Sequence, residues 1–135
     1  MSTFSLQIVT PDGEHYDGHA EKLIVRTITG DVCILPRHCD YVTALGMGEA
    51  KVWFEGGAAR AAACIGGMLI VAGDAVKLIP TTFEWADEID AERAQQAVVR
   101  ARELSARPGL SDREKTMAEA RLRRAQVRVS VAGRK

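Results

Sequence analysis

The chain changes composition abruptly near residue 86, and this change limits what it can fold into. All seven aromatic residues lie before that position, together with ten of the 12 glycines. Residues 87–135 are rich in Ala, Arg and Glu, the composition of exposed helices. This tail has twelve Lys or Arg and eight Asp or Glu, a charge of +4, whereas the first part has six and ten, a charge of −4. We therefore expect two domains, 1–86 and 87–135, in a chain whose net charge is zero.

The first part consists of short runs of β-forming residues separated by Gly and Pro turns. Residues 4–9 alternate between apolar and polar as a half-buried strand does, and 10–13 contain the Pro and Gly of a turn. Further strands are expected at 22–28, 32–35, 41–45, 49–54, 60–65, 68–71 and 75–79. Short strands at these intervals predict an antiparallel β-sandwich or barrel.

The tail predicts two amphipathic helices joined by a short loop. Apolar residues of the first helix share one face: Ala94, Ala97, Val98, Ala101 and Leu104. Pro108 and Gly109 interrupt it, and Ser111 with Glu114 forms a capping box for the second helix. The second apolar face contains Ala118, Leu122, Ala125, Val129 and Ala132. The expected fold class is α+β, mainly β: an N-terminal antiparallel β-sandwich followed by a C-terminal antiparallel two-helix hairpin.

Charged residues would converge on one side of a closed hairpin. They are Glu84, Asp90, Arg93, Arg124 and Arg128. Arginines hold phosphates through charge-assisted forks, and carboxylates accept hydrogen bonds from a ribose or an amine. The alternative is that Asp90 caps the first helix and the arginines are solvated. The pattern alone leaves both interpretations open.

Other patterns give no support for catalysis or metal binding. Cys33, His38 and Cys39 lack the paired spacing of a zinc site, so no metal is expected. No nucleophile and base occur in a supporting motif, so we do not expect an enzyme. Three cysteines without a disulfide pattern favour a reducing compartment. The start lacks the features of a signal peptide, and the apolar run 68–72 is too short to span a bilayer. Membrane association is therefore expected only through a partner.

Five stretches together resemble the epsilon subunits of bacterial F-type rotary ATP synthases, over nearly the whole chain. They are 9–13, 30–38, 66–69, 89–94 and 124–131, and their order and spacing are specific. The resemblance implies a non-catalytic rotor subunit whose β-sandwich binds the gamma shaft and the membrane-embedded c-ring. It also implies a helical tail that folds against the sandwich or extends along gamma toward the alpha/beta catalytic head. The extended tail would restrain ATP hydrolysis.

The same resemblance implies residue roles. Several members of the family bind ATP in the folded hairpin through an I(L)DxxRA motif, which residues 89–94 match without exception. The implied nucleotide contacts are Glu84, Asp90, Arg93, Ala94, Arg124 and Arg128. ATP would be a regulatory ligand, and no cofactor is required. Asp31 and His38 are implied to face the c-ring. The subunit would lie at the cytoplasmic face of the bacterial cell membrane, attached through its complex.

Two departures from the family pattern affect the expected interfaces. Arg37, His38, Cys39, Asp40 and Tyr41 replace the usual Gly-His-x-Pro-Leu at the c-ring end. Ile65 and Ile70 replace the usual serine and glutamate, and we expect them to enlarge an apolar surface for gamma.

Two other classes of function share this pattern. One is a free-standing module that senses ATP or binds anions, and the other is a scaffold whose basic tail binds nucleic acid. Copurification distinguishes the three classes. A rotor subunit would be recovered with gamma and the synthase, an ATP-sensing module as a monomer with ATP, and a nucleic-acid scaffold with RNA that salt releases. Because the resemblance favours the first class, no nucleic-acid partner is expected.

Overall fold

The computed structural model describes residues 2–134. The chain divides into two compact units, Met1–Trp85 and Ala86–Lys135. Strands make up the first unit: β1 Phe4–Thr10, β2 Gly13–Thr27, β3 Gly30–Ile34, β4 Tyr41–Ala44, β5 Met47–Phe54, β6 Ala59–Ile65, β7 Met68–Ala72, β8 Ala75–Ile79 and β9 Thr82–Trp85. They are hydrogen-bonded in the order β4-β7-β8-β1-β2-β5-β6-β9, and β3 pairs with β2. This β-sandwich confirms the predicted fold class of the first part.

One strand pair differs from the expected antiparallel arrangement. β1 and β8 run parallel, with Leu6 opposite Val76 and Ile8 opposite Leu78. The other pairs among these strands are antiparallel. A tight turn forces consecutive strands to be antiparallel, but six strands separate β1 from β8 in the chain. Local turns therefore could not reveal the direction of this pair.

Two strand segments were missing from the sequence prediction. β2 begins at Gly13, well before the expected start at residue 22, and its first half pairs with β1 from Ala20 back to Gly13. That half contains Glu14, Asp17 and Gly18, which have low β-propensity. β9 pairs with β6 through Trp85 opposite Ala62. In both segments the pairing with a neighbouring strand, and not local propensity, decides the conformation.

Alternate residues of the strands form the core of the first unit. The largest fully buried side chains include Leu6, Ile8, Leu23, Ile34 and Leu78. Gly67, in the turn between β6 and β7, has a φ of +90°, and a Cβ there would overlap the carbonyl oxygen of Ile79. Only glycine allows this close approach of two backbone segments.

The second unit consists of a 3₁₀ turn, Ala86–Glu88, and two helices, α1 Ala91–Ser105 and α2 Asp112–Ala132. The helices pack against each other, as the predicted hairpin requires. The capping box is present: Ser111 Oγ accepts from the Glu114 nitrogen at 3.2 Å, and Glu114 Oε1 accepts from the Ser111 nitrogen at 3.3 Å. Within residues 2–134, no helix combines the length and apolar character needed to cross a bilayer.

The buried face of each helix is narrower than predicted. It contains Ala94, Val98 and Ala101 on α1, and Ala118, Ala125, Val131 and Ala132 on α2. Ala97, Leu104, Leu122 and Val129 are only half-buried. Small side chains allow close helix approach but bury little apolar area, at about 0.8 kcal/mol per CH₂. Because the interface between α1 and α2 is built mainly from alanine, apolar burial stabilises the hairpin only a little.

Candidate functional site

The start of α1 is organised by Asp90. Its Oδ1 accepts a hydrogen bond from the Arg93 backbone nitrogen at 3.0 Å, which makes Asp90 the N-cap. The Ala94 nitrogen donates to the Asp90 carbonyl oxygen at 2.9 Å. The side chains of Asp90 and Arg93 are exposed, whereas Ala94 is buried. The structure therefore shows the capping role of Asp90, whose exposed side chain does not point into the helix interface. Capping uses one oxygen of the Asp90 carboxylate, and this side chain stays exposed at the N-terminus of α1.

Arg124 and Arg128 lie on α2 and are both half-buried. The helices are antiparallel and joined by residues 106–111. Residues equally far from that connection lie at the same level, because both helices rise about 1.5 Å per residue. This register places Arg124 at the level of Arg93, and Arg128 about level with Asp90. With Ala94 next to Arg93, the hairpin thus has five of the six predicted nucleotide contacts at one end.

Arg124 also lines a groove of about 310 Å³ on the hairpin. Leu104, Leu110 and Met117 give this groove an apolar surface, and Arg121 supplies a second guanidinium. Helical side chains point toward the N-terminus of their helix, so Arg124 extends toward the interhelical connection and away from Asp90. Arg121 was not among the predicted contacts, although its spacing of three residues from Arg124 was a signal for it.

Glu84 belongs to the first unit, unlike the other five predicted nucleotide contacts. It is half-buried on β9, opposite Ala63 of β6. The role of Glu84 toward a nucleotide stays a prediction.

The two residues predicted to face the c-ring have different environments. Asp31, on β3, forms a forked ion pair with Arg26, with 2.7 Å from Nε to Oδ1 and 3.4 Å from Nη2 to Oδ2. Hydrogen bonding by Asp31, followed by its charge, raises the pKa of Arg26. His38 lies in the connection between β3 and β4, where its Nδ1 is 2.7 Å from the carbonyl oxygen of Cys39. Because a carbonyl oxygen only accepts hydrogen bonds, Nδ1 is the donor in this contact.

An exposed, mainly apolar face covers the outer side of β4, β7 and β8, with Lys77 of β8 beside Ile70. Val42, Met68 and Ile79 are 60%, 45% and 39% exposed. The strand register places Val42 beside Ile70, and Met68 beside Ile79. A contiguous patch of this kind is typical of a protein-binding surface. Ile70 lies on it as expected, whereas Ile65 is buried and the expectation for that residue was wrong.

The cysteines differ in exposure. Cys33 and Cys39 are exposed, and Cys64 is buried. Burial raises the pKa of the Cys64 thiol to about 12. Among the residues that the structure describes, no three His, Cys, Asp or Glu side chains are grouped to hold a metal ion.

Comparisons with known proteins agree with this architecture. Residues 3–86 match the family model described as ATP synthase, Delta/Epsilon chain, beta-sandwich domain. Residues 87–133 match the model described as ATP synthase, Delta/Epsilon chain, long alpha-helix domain. Among curated proteins, the ATP synthase epsilon chain of Exiguobacterium is 37% identical over 97% of this chain and 96% of its own length. The epsilon chain of Ruminococcus albus is 38% identical over the full length of both.

Solved structures share the fold at lower identity. A chain of the Euglena gracilis mitochondrial ATP synthase, solved with OSCP, F1 and the c-ring, superposes with a TM-score of 0.84 at 22% identity. It matches 98% of this chain and 82% of its own. A chain from the central stalk and c-ring of the Tetrahymena thermophila enzyme gives a TM-score of 0.66 at 15% identity, over 95% of both chains. The two family models and the full-length epsilon relatives establish that this chain belongs to the delta/epsilon chain family of ATP synthases.

Proposed function

We propose that the chain is a non-catalytic rotor subunit in the central stalk of a bacterial F-type ATP synthase. It would couple proton transport to ATP synthesis and lie at the cytoplasmic face of the cell membrane, held there by its complex. The observation that carries the proposal is the match over the full length to a bacterial epsilon chain. Acidic groups with structural tasks support a non-catalytic role: Asp90 caps α1, Glu114 closes a capping box, and Asp31 holds Arg26.

The outer face of β4, β7 and β8 is the proposed seat of the gamma subunit. Val42, Met68 and Ile79 are about half exposed, so burying each would contribute roughly half of the ~1.5–3 kcal/mol gained by a fully exposed side chain. The ion pair of Arg26 with Asp31 and the His38 connection are the proposed contacts with the c-ring. The alpha/beta head would meet the helical tail only when the tail extends.

The helical hairpin is the proposed regulatory part, with ATP as its ligand. Arg93, Arg124 and Arg128 would bind phosphates, and Asp90 would accept from the ribose or the adenine amine. The alanine interface stabilises the closed hairpin weakly, so a ligand that bridges the two helices can decide its arrangement. At a hundredfold excess over its dissociation constant, such a ligand adds about 2.7 kcal/mol to the closed form.

Copurification from the native membrane tests the rotor role. The tagged chain should recover gamma and the catalytic head, and Val42→Asp with Met68→Asp should release them because two carboxylates would be buried at the interface. Ala58→Asp with Ala59→Asp adds the same two carboxylates at exposed positions outside β4, β7 and β8, and should leave recovery unchanged. Recovery of the wild-type chain as a monomer with ATP, or with salt-sensitive RNA, would reject the rotor role.

A further inference from the structure

The strand β4 has an open edge. It stands at one end of the strand order, and its ladder partner is β7. Just beyond β4, the Leu45 nitrogen donates to the carbonyl oxygen of Gly67, the residue opposite it, at 2.8 Å. Opposite residues of an antiparallel pair alternate between hydrogen-bonded and non-hydrogen-bonded pairs. The backbone groups of Thr43 therefore face β7, whereas those of Val42 and Ala44 point away from it.

A hydrogen bond on the outward side of β4 supports this assignment. The Ile28 nitrogen donates to the Ala44 carbonyl oxygen at 3.1 Å. Three other backbone groups point the same way, namely the N–H and C=O of Val42 and the N–H of Ala44. Within residues 2–134, none of these three groups has a hydrogen-bond partner. The edge therefore offers two donors and one acceptor to a further strand.

β4 lacks the side chains that protect most edge strands. Proteins guard such edges with charged residues, proline or β-bulges. Two other described strands have a single neighbour, β3 and β9, and these carry Asp31 and Glu84. The sequence of β4, Tyr-Val-Thr-Ala, contains no charge and no proline, and its register with β7 has no shift. Its outward side chains, Val42 and Ala44, are both exposed. An unguarded, uncharged edge of this kind is suited to pairing with another chain.

We propose that an extended segment of the gamma subunit pairs with β4 as an additional strand. The identity of the partner rests on the proposed rotor role, and the inference adds a backbone contact to the side-chain contacts of the outer face. In an antiparallel arrangement, the residue opposite Val42 would exchange two hydrogen bonds with it. The residue two positions along the segment would accept from the Ala44 N–H. In such strand addition, the main-chain hydrogen bonds provide affinity.

Continuity with the outer face of β4, β7 and β8 favours gamma over a second copy of this chain. Val42 belongs both to this edge and to the proposed seat of gamma, so a subunit on that face reaches the edge without a gap. Side chains of an added strand alternate, and every second one would extend the apolar face beside Val42. A second copy paired through β4 would cover the same residue and exclude gamma.

Hydrogen exchange of backbone amides, in the free chain and in its complex with gamma, tests the pairing. The Val42 and Ala44 amides should exchange rapidly in the free chain and at least about tenfold more slowly in the complex. The Thr43 amide faces β7 and should be protected in both states. Gamma binding without protection of Val42 and Ala44 overturns the proposal and leaves the rotor role standing, whereas failure to bind gamma rejects both. Protection that rises with concentration in the free chain overturns the proposal in favour of a second copy.

Removal of one N–H separates hydrogen bonding from burial. The α-hydroxy analogue of valine, incorporated at Val42, replaces that N–H with an ester oxygen and keeps the side chain. In competition with the wild-type chain, it should bind gamma at least about fivefold more weakly, the loss expected from one backbone hydrogen bond. The same change at Ala58, an exposed residue whose N–H also has no partner within residues 2–134, is the matched control and should leave binding unchanged. Thermal melts check that both variants are folded. Equal affinity of the Val42 ester and the wild type overturns the proposal, because gamma would then cover β4 without bonding to it.

Discussion

At the scale of single residues, burial separates the chemistry of the three thiols. Because burial raises the pKa of Cys64 to about 12, only roughly one ten-thousandth of it is thiolate at pH 8. Cys33 and Cys39 are exposed. A disulfide reagent at pH 8 should therefore modify two thiols in the folded chain, and the third only after unfolding. In Cys64→Ala the slow thiol should disappear, and three equally fast thiols in the wild type would contradict the buried position.

The charged residues of the hairpin allow capping and ligand binding to be separated. Asp90→Ala removes the N-cap, at about 1 kcal/mol, together with the charge, whereas Asp90→Asn keeps a capping oxygen. We expect Asp90→Asn, Arg124→Ala and Arg128→Ala each to weaken ATP about tenfold in calorimetric titrations. Arg102→Ala, an exposed arginine of α1 outside the site, is the control. Unchanged affinity in all the variants would mean that Asp90 and the arginines take no part in ATP binding.

At the scale of elements, the turn between β6 and β7 brings Gly67 against the Ile79 carbonyl. Gly56→Ala, at a φ of +96° with open space around it, should cost about 1–2 kcal/mol through backbone strain alone. Gly67→Ala adds overlap with the Ile79 carbonyl, so its free energy of unfolding should fall by a further 1–3 kcal/mol or so. Denaturant melts of both variants measure the difference. Equal losses of unfolding free energy in the two variants would show that the backbone around Gly67 moves to accommodate the added Cβ.

At the scale of the whole molecule, the main hydrophobic cluster belongs to the first unit. All residues of the main cluster lie between Phe4 and Trp85. A chain ending at Ala86 should therefore melt cooperatively with a strand-type circular dichroism spectrum. Within the synthase, removal of residues 87–135 should preserve assembly and proton coupling while changing ATP hydrolysis. An unfolded or helical spectrum, or loss of assembly, would contradict this division of roles.

The sequence by itself determined the features that depend on neighbours along the chain. The alternation at 4–9, the break at Pro108 and Gly109, and the pairing of Ser111 with Glu114 are local, and each appears in the structure as expected. Asp90 as a possible cap was equally visible. These features follow from backbone preference and helical spacing, which act over a few residues.

Only the tertiary structure decided the features that join distant segments. The parallel pairing of β1 with β8, the early start of β2 and the strand β9 are set by neighbouring strands, whose register no local pattern encodes. The same pairing places Val42, Met68 and Ile79 on one outer face. It also leaves outward backbone groups of Val42 and Ala44 open at a sheet edge that the sequence did not suggest. Sheet surfaces are built from residues far apart in the chain, and for that physical reason their chemistry becomes visible only in the fold.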